Sequence, residues 1–510
     1  MHLINPDLHT RRAFLRRSGQ LAFTGAAMPM AMNLTAIGEA AAQTATDYKA
    51  LVCVFLYGGN DYANTVVNYD QASYDLYAKI RGGAGQDGGG IALARTGLTP
   101  LQAAVGGKEY AFHPSMGGMA NLFNTGKTAV ILNTGPLFVP TSRADYFGTN
   151  RAAYPLPPKL FSHNDQQSLW QSKSPEGSTV GWGGNIADRA LSTNGNGSLF
   201  TAVSVTGNSV FLSGNTAFSY QVSTNGAVKI YTVGDSAYPY GMNPVGKSAA
   251  KLIVNAAGSS ILGQEYNKVT KRSIDAEVTV SAAIAGSKAN ASNIYPAPFD
   301  KFKSISVING ANTNNPLAEQ LRMVARMIKA RDGLGVKRQV FLVSMGGFDL
   351  HDNLITGHVK NMQRVSEAMT AFYEATVDLG VVGNVTAFTA SDFGRTLASN
   401  GDGSDHGWGS HHMVVGGAVK GKQFYGYAPP VGSGARESTA DVDLWQVGQG
   451  RLLPTTSVDQ YAATLAKWFG VADADLQDIV PNLANFGKGS ISVGGQQFAY
   501  PKDVGFMNPA

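Results

Sequence analysis

The fold is decided first by residues 50–61, which read ALVCVFLYGGND. Residues 50–57 are an unbroken apolar run, the pattern of a strand that is buried on both faces of a parallel sheet. The two glycines and Asn60 end that strand and leave Asp61 just beyond its carboxyl end. Cys53, the single cysteine of the chain, lies inside the run. We expect it to be a buried strand residue, and both an intrachain disulfide and a zinc–thiolate site are excluded.

Strand-like and helix-like segments alternate downstream, most clearly in the C-terminal half. Residues 339–344 and 385–389 predict strands. Apolar residues at three- and four-residue spacing predict helices over residues 317–328 and 362–376. Asn315 is placed to cap the first of these helices. This alternation predicts an α/β fold with a mostly parallel central sheet and helices on both faces.

Residues from about 192 to 290 differ in character from the rest of the chain. Short β-like segments with Asn, Gly and Ser turns come first, and a long, more polar helical stretch follows over about residues 247–282. We expect this segment to be a β-rich and helical insertion, or a subdomain, within one domain that spans residues 43–510.

The N-terminus resembles an export signal. Residues 10–16 read TRRAFLR, a modestly apolar stretch covers residues 21–32, and three alanines occupy residues 40–42. This order of basic, apolar and small residues predicts a twin-arginine signal peptide over residues 1–42, and a protein located in the periplasm or outside the cell. The apolar stretch contains Pro29 and is too short to span a bilayer comfortably, so we expect no stable membrane insertion.

Composition narrows the classes of partner. Hydrophobic residues make up 44% of the chain and charged residues 15%, which is enough for a sizeable core and argues against extensive disorder. The formal net charge is +5, and no stripe of Lys and Arg with interleaved aromatic residues occurs. Nucleic acid is therefore a poor candidate partner. The sequence identifies no protein partner.

Polar clusters border several of the predicted strands. Asp61 follows the first strand, and Asp349 and His351 follow a later one. Asp392 follows the next strand, and His406 precedes another. Ligands bind beyond the carboxyl ends of strands in open α/β sheets, and carboxylates and imidazoles bind divalent metals when thiolates are absent. We expect a metal site at that edge of the sheet. The alternative is that each residue only caps a turn or makes a structural hydrogen bond.

Seven short motifs are specific in combination: GGNDYAN (58–64), HPSM (113–116), SHND (162–165), GWGG (181–184), FDLH (348–351), SDFGRT (391–396) and DHG (405–407). In this order, and with the tail PTTSVDQY (454–461) through PNL (481–483), they resemble a large family of twin-arginine-exported bacterial proteins of unknown function. That family is grouped with the alkaline-phosphatase-like superfamily, which includes the sulfatases. The resemblance covers nearly the whole mature chain and implies an alkaline-phosphatase-like fold.

The resemblance also implies a set of metal ligands. Asp61 matches the metal-binding aspartate that follows the first strand in the superfamily. Asp349 and His351 look like the pair after a later strand, although they are closer together than the usual pair. Asp392 takes the first place of an Asp-His pair, and His406 resembles a late single histidine. Such carboxylates and imidazoles suit a divalent metal ion, zinc or manganese before calcium.

Two further residues resemble catalytic groups. Ser162 falls where the superfamily places a nucleophile that opens a helix, and a helix N-terminus would favour a phosphate or sulfate oxygen. Ser162 lacks the Cys-x-Pro-Ser-Arg context, so formylglycine maturation is not expected. Arg395 would neutralise charge in a transition state or form a structural ion pair, and the sequence leaves both roles open.

Two functions follow from this reading. The first is a secreted, metal-dependent hydrolase of phosphate or sulfate esters, in which the metal polarises a small anionic substrate and activates Ser162 or a water molecule. The second is a non-catalytic binding or surface-assembly protein on a degenerate alkaline-phosphatase-like fold. Phe393 favours the second, because the superfamily usually has a metal-binding histidine there. Metal content separates the two, since only the hydrolase requires a metal.

Overall fold

The computed structural model describes residues 47–82, 90–172, 174, 176–229, 249, 252–256, 260–285, 305–306, 312–313, 315–432, 440–493 and 495–509. The signal peptide predicted over residues 1–42 lies outside the described residues and stays a prediction. Within the described ranges, no helix has both the length and the hydropathy that a membrane crossing needs.

The described strands are β1 (Lys49–Leu56), β2 (Val66–Asn68), β3 (Thr99–Val105), β4 (Lys108–Phe112), β5 (Thr128–Gly135), β6 (Ala202–Ser204), β7 (Tyr220–Ser223), β8 (Gly226–Ala227), β9 (Ile305–Ser306), β10 (Asn312–Thr313), β11 (Arg338–Met345), β12 (Val385–Ser391), β13 (Ser410–Gly416), β14 (Phe424–Tyr425), β15 (Thr456–Ser457), β16 (Ser490–Val493) and β17 (Gln496–Ala499). The described α-helices are α1 (Tyr62–Thr65), α2 (Gln71–Ile80), α3 (Gly117–Asn124), α4 (Arg143–Phe147), α5 (His163–Ser172), α6 (Trp182–Asn194), α7 (Ile261–Ala285), α8 (Pro316–Lys329), α9 (Arg331–Leu334), α10 (Leu354–Asp378), α11 (Val458–Phe469) and α12 (Leu476–Ile479).

A central sheet of ten strands runs through the described chain in the order β14-β5-β13-β12-β1-β11-β6-β7-β8, with β15 also paired to β5. β1 pairs in parallel with β11 on one side and with β12 on the other. Parallel pairing continues from β11 to β6 and β7, whereas β13 runs antiparallel to both of its neighbours, β12 and β5. The sheet is therefore mixed and mostly parallel, and the predicted fold class is confirmed.

The side chains of β1 alternate between two hydrophobic cores. Val52 and Val54 belong to one core, to which helices α3, α8 and α10 contribute. Cys53 and Phe55 belong to the other, to which α6 and α11 contribute. Successive side chains of a strand face opposite sides of the sheet, so an apolar residue at every position predicts burial on both faces. All eight residues of β1 are buried, and the predicted burial of Cys53 is confirmed.

The elements of the C-terminal half lie where the sequence places them. β11 and β12 contain the two predicted strands, and α8 contains its predicted helix with one further residue at each end. Asn315 caps α8, because its Oδ1 accepts a hydrogen bond from the backbone nitrogen of Ala318 at 3.1 Å. A side-chain acceptor at this position satisfies one of the unpaired amides of the first turn.

Helix α10 begins at Leu354, two turns before the predicted start. The added turns bury two polar residues, His358 and Asn361, so the apolar periodicity that marks the rest of the helix is absent there. His358 Nε2 lies 3.1 Å from Asn60 Oδ1, and Asn361 Nδ2 donates to the carbonyl oxygen of Gly347 at 2.6 Å. The first turns of α10 are thus held by the loops that follow β1 and β11.

The described part of the expected insertion is joined to the central sheet. β6 and β7 extend the sheet in parallel, and β8 pairs with β7. α7 packs on the core through Ala276, Val280 and Ile284. The limits of an insertion stay a prediction, because residues 230–248 and 286–304 lie outside the described ranges.

Three loops meet at one edge of the sheet because β1, β11 and β12 end together. Leu56 pairs with Met345 and with Ser391, so the segments after these strands leave the sheet side by side. Gly58 permits their close approach, since a Cβ there would lie 2.4 Å from the backbone nitrogen of Asp349 and its φ is +115°. These loops carry three of the polar clusters that the sequence pointed to.

Candidate metal centre

Four side chains meet at this edge and are hereafter called the His–Asp group: His163, Asp349, His351 and His406. In the described chain, one ligand atom each of His163, Asp349 and His406 lies within 4.8 Å of the other two. His163 Nε2 is 3.4 Å from Asp349 Oδ2, and His406 Nε2 is 3.2 Å from Asp349 Oδ1. His351 Nε2 lies 2.9 Å from His406 Nε2 and 3.1 Å from Asp349 Oδ1. The structure thus brings three of the predicted ligands together and adds His163.

Different elements supply these side chains. His163 is the first residue of α5, and Asp349 and His351 lie on the loop after β11. His406 lies on the loop before β13 and forms an isolated antiparallel bridge with Arg395, on the loop after β12. That bridge ties the two loops together, so His406 does reach the edge at which the parallel strands end.

Each imidazole donates from Nδ1 to an acceptor behind it: His163 to Asp392 Oδ2 at 2.7 Å, His406 to the carbonyl oxygen of Phe161 at 2.7 Å, and His351 to Asp405 Oδ1 at 3.3 Å. A carbonyl or carboxylate oxygen can only accept, so a neutral ring that keeps this outer hydrogen bond carries its proton at Nδ1 and has its lone pair at Nε2. The three Nε2 atoms all lie toward Asp349. Metal-binding histidines have this arrangement, because the outer hydrogen bond fixes the ring and leaves the inner nitrogen free.

Burial and these contacts set the ionisation of the group. The hydrogen bond to Asp392 is the largest influence on His163 and raises the pKa of its imidazole. Burial lowers the pKa of His406. Burial also opposes ionisation of Asp349, but the hydrogen bond and the charge of Arg395 outweigh it, and the pKa of this carboxyl is lowered. At neutral pH the group therefore presents a carboxylate beside the neutral imidazole of His406, which are the forms that bind metals.

Asp392 supports the group from behind. Its side chain is wholly buried, and Oδ2 accepts hydrogen bonds from His163 Nδ1 at 2.7 Å, Gln167 Nε2 at 2.8 Å and Gly58 N at 3.2 Å. Its Oδ1 is buried and has no hydrogen-bond partner in the part of the chain that the structure describes. Asp392 is therefore placed to orient His163, and its own role as a metal ligand stays a prediction.

Arg395 holds Asp349 in place. The arginine is wholly buried, and its Nη1 donates to Asp349 Oδ1 at 2.6 Å and to the carbonyl oxygen of Gly58 at 3.1 Å. Its Nη2 donates to the carbonyl oxygen of Ser404. These contacts are those of the structural ion pair, one of the two roles that the sequence left open. The transition-state role stays a prediction.

Asp61 lies outside the His–Asp group. Its carboxylate forms a salt bridge of 2.8 Å with the guanidinium of Arg81, and both side chains are buried. Arg81 also donates to Asn64 Oδ1 at 2.9 Å, and Asp61 Oδ1 caps α1 by accepting from the backbone nitrogen of Ala63 at 3.3 Å. Burial raises the pKa of Asp61, and the charge of Arg81 opposes that shift. The carboxylate already faces a cation from the chain itself, and its role as a metal ligand stays a prediction.

Ser162 lies at the N-terminus of α5, where the resemblance implied a helix start. Its hydroxyl donates to Asp165 Oδ2 at 3.0 Å, and its carbonyl accepts from the backbone nitrogen of Gln166 at 3.0 Å. The preceding residue, Phe161, has a φ of +74°, a conformation that non-glycine residues seldom adopt. This turn carries the carbonyl of Phe161 to His406. The nucleophilic role of Ser162 stays a prediction.

Phe393 packs against two of the candidate ligands. Its ring centroid is 4.9 Å from that of His163 and 4.7 Å from that of His406. Phe393, where the resemblance implied a histidine, therefore provides an apolar surface beside these two imidazoles. The sequence analysis did not include His163 among the candidate ligands. The available signal was a histidine beside Ser162 at the start of a helix.

Part of the chain matches the model of a protein family whose function is unknown. Residues 244–480 match the family described as "Protein of unknown function (DUF1501)". The matched part includes Asp349, His351 and His406, whereas His163 lies before it. No curated protein sequence matches the chain.

Solved structures that match most of this chain do so with low sequence identity and low TM-scores. The PsFucS1 sulfatase from Pseudoalteromonas sp. is 9% identical, with 84% of this chain and 74% of that chain covered and a TM-score of 0.30. The lipoteichoic acid synthase LtaP from Listeria monocytogenes is 9% identical, with 78% and 72% covered and a TM-score of 0.27. Ps i-CgsB in complex with k-i-k-neocarrahexaose is 8% identical, with 86% and 76% covered and a TM-score of 0.32. Likeness at this level assigns no activity to this chain.

Proposed function

We propose that this chain is a metal-dependent hydrolase of phosphate or sulfate esters, and that its metal ion is held by the His–Asp group. The observation that carries the proposal is that three imidazoles place Nε2 toward one carboxylate while acceptors hold each Nδ1. Nitrogen and carboxylate ligands without thiolates suit zinc or manganese.

The donor set fits a cation because it is otherwise self-repelling. His351 Nε2 and His406 Nε2 are 2.9 Å apart, and each is an acceptor when both Nδ1 atoms carry protons. Asp349 Oδ1 adds negative charge at 3.1 Å and 3.2 Å from these nitrogens. Lone pairs and a carboxylate at such distances require a proton or a metal ion among them. A divalent ion satisfies all three at once.

The chain would hold this donor set through buried contacts. A divalent ion bound there would polarise the anionic oxygens of an ester and lower the pKa of a bound water to roughly 7. Arg395 fixes Asp349, and Asp392 fixes His163, each through a hydrogen bond of 2.6–2.7 Å. Because both supporting side chains are wholly buried, the donor atoms have little freedom to move, which preorganises the site.

The proposed nucleophile is Ser162 or a water molecule. Asp165 Oδ2 lies 3.0 Å from the Ser162 hydroxyl and accepts its hydrogen bond, so it is placed to take that proton when the oxygen attacks. The oxygen would attack phosphorus or sulfur at the N-terminus of α5, where the helix dipole favours the negative charge of the group. The bond to the ester oxygen would break, and the proton taken by Asp165 would pass to the departing alcohol; if Ser162 attacks, water would then hydrolyse the ester formed on its oxygen. The proposed substrate is therefore a small anionic ester.

Export completes the proposal. The order of basic, apolar and small residues over residues 1–42 supports twin-arginine export to the periplasm or beyond it. Folding before export would let the chain take its metal ion in the cytoplasm, where metal supply is controlled.

A second candidate function is binding without catalysis on the same fold. Two observations favour it. Phe393 places an aromatic ring, rather than a further imidazole, against His163 and His406. Arg81 engages the carboxylate of Asp61 at 2.8 Å, where the superfamily would have a metal ligand.

Metal analysis of natively exported protein, paired with a panel of phosphate and sulfate esters, tests the proposal. We expect a stoichiometric transition metal and ester hydrolysis in the wild type, and loss of both in His163→Ala and Asp349→Asn. Asp352→Asn is the matched control, since this exposed carboxylate lies in the same loop as Asp349. Wild-type protein that neither holds nor takes up a metal ion would contradict the hydrolase and leave the binding function.

A further inference from the structure

A cavity of about 610 Å3 lies next to the His–Asp group. Its lining includes Arg151, Arg451 and the aromatic rings of Tyr146 and Phe161. Two lining residues contact His406 directly. The carbonyl oxygen of Phe161 accepts from His406 Nδ1 at 2.7 Å, and Arg451 Nε donates to the carbonyl oxygen of His406 at 2.7 Å. The lining of the cavity is therefore in direct contact with one residue of the candidate metal centre.

The two arginines in this cavity are held by neutral groups. Arg151 donates to the backbone carbonyl oxygens of Asp145 and Tyr146 at 2.9 Å and 2.6 Å. The guanidinium of Arg451 lies 5.1 Å from the centroid of the Phe161 ring. In the described chain neither arginine forms a salt bridge, and the described lining contains no acidic side chain.

Asp405 is an acidic residue outside the lining whose negative charge acts on Arg451. Asp405 is engaged elsewhere, because its Oδ1 accepts from Asn400 at 2.9 Å and lies 3.3 Å from His351 Nδ1. Two guanidinium groups with their charge largely uncompensated therefore face one cavity. Such forks bind carboxylate, sulfate or phosphate groups through paired hydrogen bonds.

We propose that this cavity binds a second anionic group of the substrate, carried on a ring. The inference rests on the proposed function, and it defines the substrate class as a cyclic ester with at least one further sulfate, phosphate or carboxylate. The rings of Tyr146, Phe147 and Phe161 offer apolar faces on which a ring packs. The arginines supply the charge, and the volume is that of a small-molecule site.

Binding of naphthalene-2-sulfonate to the full chain tests the cavity without relying on activity. Isothermal titration calorimetry is run with a chelator present, so that the sulfonate has no metal ion to bind. We expect Arg151→Gln and Arg451→Gln each to weaken binding about tenfold, because each removes a charge-assisted contact. The neutral naphthalene-2-sulfonamide should bind all three proteins alike. Arg189→Gln, which removes a half-buried arginine paired with Asp478 outside the cavity lining, should leave sulfonate binding unchanged.

The outcomes separate the cavity from the proposed function. Equal sulfonate binding by wild type and both variants overturns the proposal that the cavity binds an anionic group, whether or not the chain hydrolyses esters. The sulfonate can also bind through the arginines of a chain that hydrolyses no ester with any metal. That result supports anion binding in the cavity and contradicts the proposed function. Arg151 is exposed, so its variant decides the question if the Arg451 variant fails to fold. In an active chain, Arg151→Gln should raise KM for naphthyl phosphate bearing a ring sulfonate and leave KM for plain naphthyl phosphate unchanged.

Discussion

Asp392→Asn should weaken metal binding while the fold is retained. The carboxylate is wholly buried, and its Oδ2 accepts hydrogen bonds at 2.7, 2.8 and 3.2 Å. An asparagine oxygen in the place of Oδ2 keeps all three donors satisfied. Its amide then takes the place of Oδ1, which has no partner among the described residues. The substitution therefore changes the charge behind His163 and leaves the volume nearly unchanged.

The size of the effect follows from that loss of charge. A hydrogen bond to a charged acceptor contributes about 1.5–3 kcal/mol, and a neutral one about 1 kcal/mol. The His163 Nδ1–H would thus be less strongly polarised, and its Nε2 would be a weaker ligand. Loss of a carboxylate behind a metal-binding histidine lowers metal affinity by about 10- to 100-fold. We expect zinc affinity to fall by this amount.

Competition titration with a chromophoric zinc chelator measures the affinity, and circular dichroism with urea unfolding checks the fold. Asp165→Asn is the matched control, because this buried carboxylate lies two residues after His163 and contacts Ser162 and Lys159 instead. It should leave zinc affinity unchanged. A folded Asp392→Asn protein with wild-type zinc affinity would refute the reasoning that His163 is a ligand oriented by Asp392.

Three further predictions address other parts of the chain. Asp61→Asn leaves Arg81 buried without its partner, so we expect urea unfolding to show a loss of about 3–5 kcal/mol while the metal content of the folded protein is retained; loss of metal would instead make Asp61 a ligand. Replacement of Arg11 and Arg12 by lysine should leave the precursor in the cytoplasm, as cell fractionation would reveal, and normal periplasmic accumulation would contradict the export signal. Burial lowers the pKa of four histidines to about 2 or 3: His113, His358, His411 and His412. The unfolded chain takes up protons below about pH 6.5 and the folded chain does not, so the free energy of unfolding of metal-free protein should fall by up to about 1.4 kcal/mol per histidine for each pH unit below 6.5. A flat profile between pH 7.5 and 5.5 in urea unfolding would contradict this.

The central sheet was predictable because the apolar pattern of its main strands is visible in their own sequences. β1 is apolar from Ala50 to Leu56, and all of its residues are buried, so the sequence pattern and the environment coincide along this run. The start of α10 was not predictable in this way. His358 and Asn361 are buried for the hydrogen bonds that they make to Asn60 and Gly347, and apolar periodicity cannot reveal a buried face that is polar.

The edge of the sheet was predictable from strand order, but the partners of its carboxylates were not. Asp61, Asp349 and Asp392 all follow strands that end together, and each therefore matched a ligand position. Arg81 engages both carboxylate oxygens of Asp61, at 2.8–3.3 Å, whereas Arg395 engages only Oδ1 of Asp349, at 2.6 Å, and Oδ2 faces His163. Both arginines arrive from distant parts of the sequence, so which carboxylate remains open to a metal ion depends on tertiary contacts.

The same reasoning explains why His163 was overlooked. Motif matching assigns a ligand by its position in the sequence. The actual ligands are the side chains that lie close together in the folded chain. The resemblance led us to expect a histidine where the chain has Phe393, whose ring packs 4.9 Å from the ring of His163, so an imidazole from α5 lies beside that place. Asp392, next to Phe393 in the sequence, accepts the Nδ1 proton of that imidazole at 2.7 Å. An Asp-His contact is thus present, although the histidine comes from another element than the resemblance implied. A departure from a motif therefore argues against a metal site only after the space around the substituted residue has been searched for a replacement ligand.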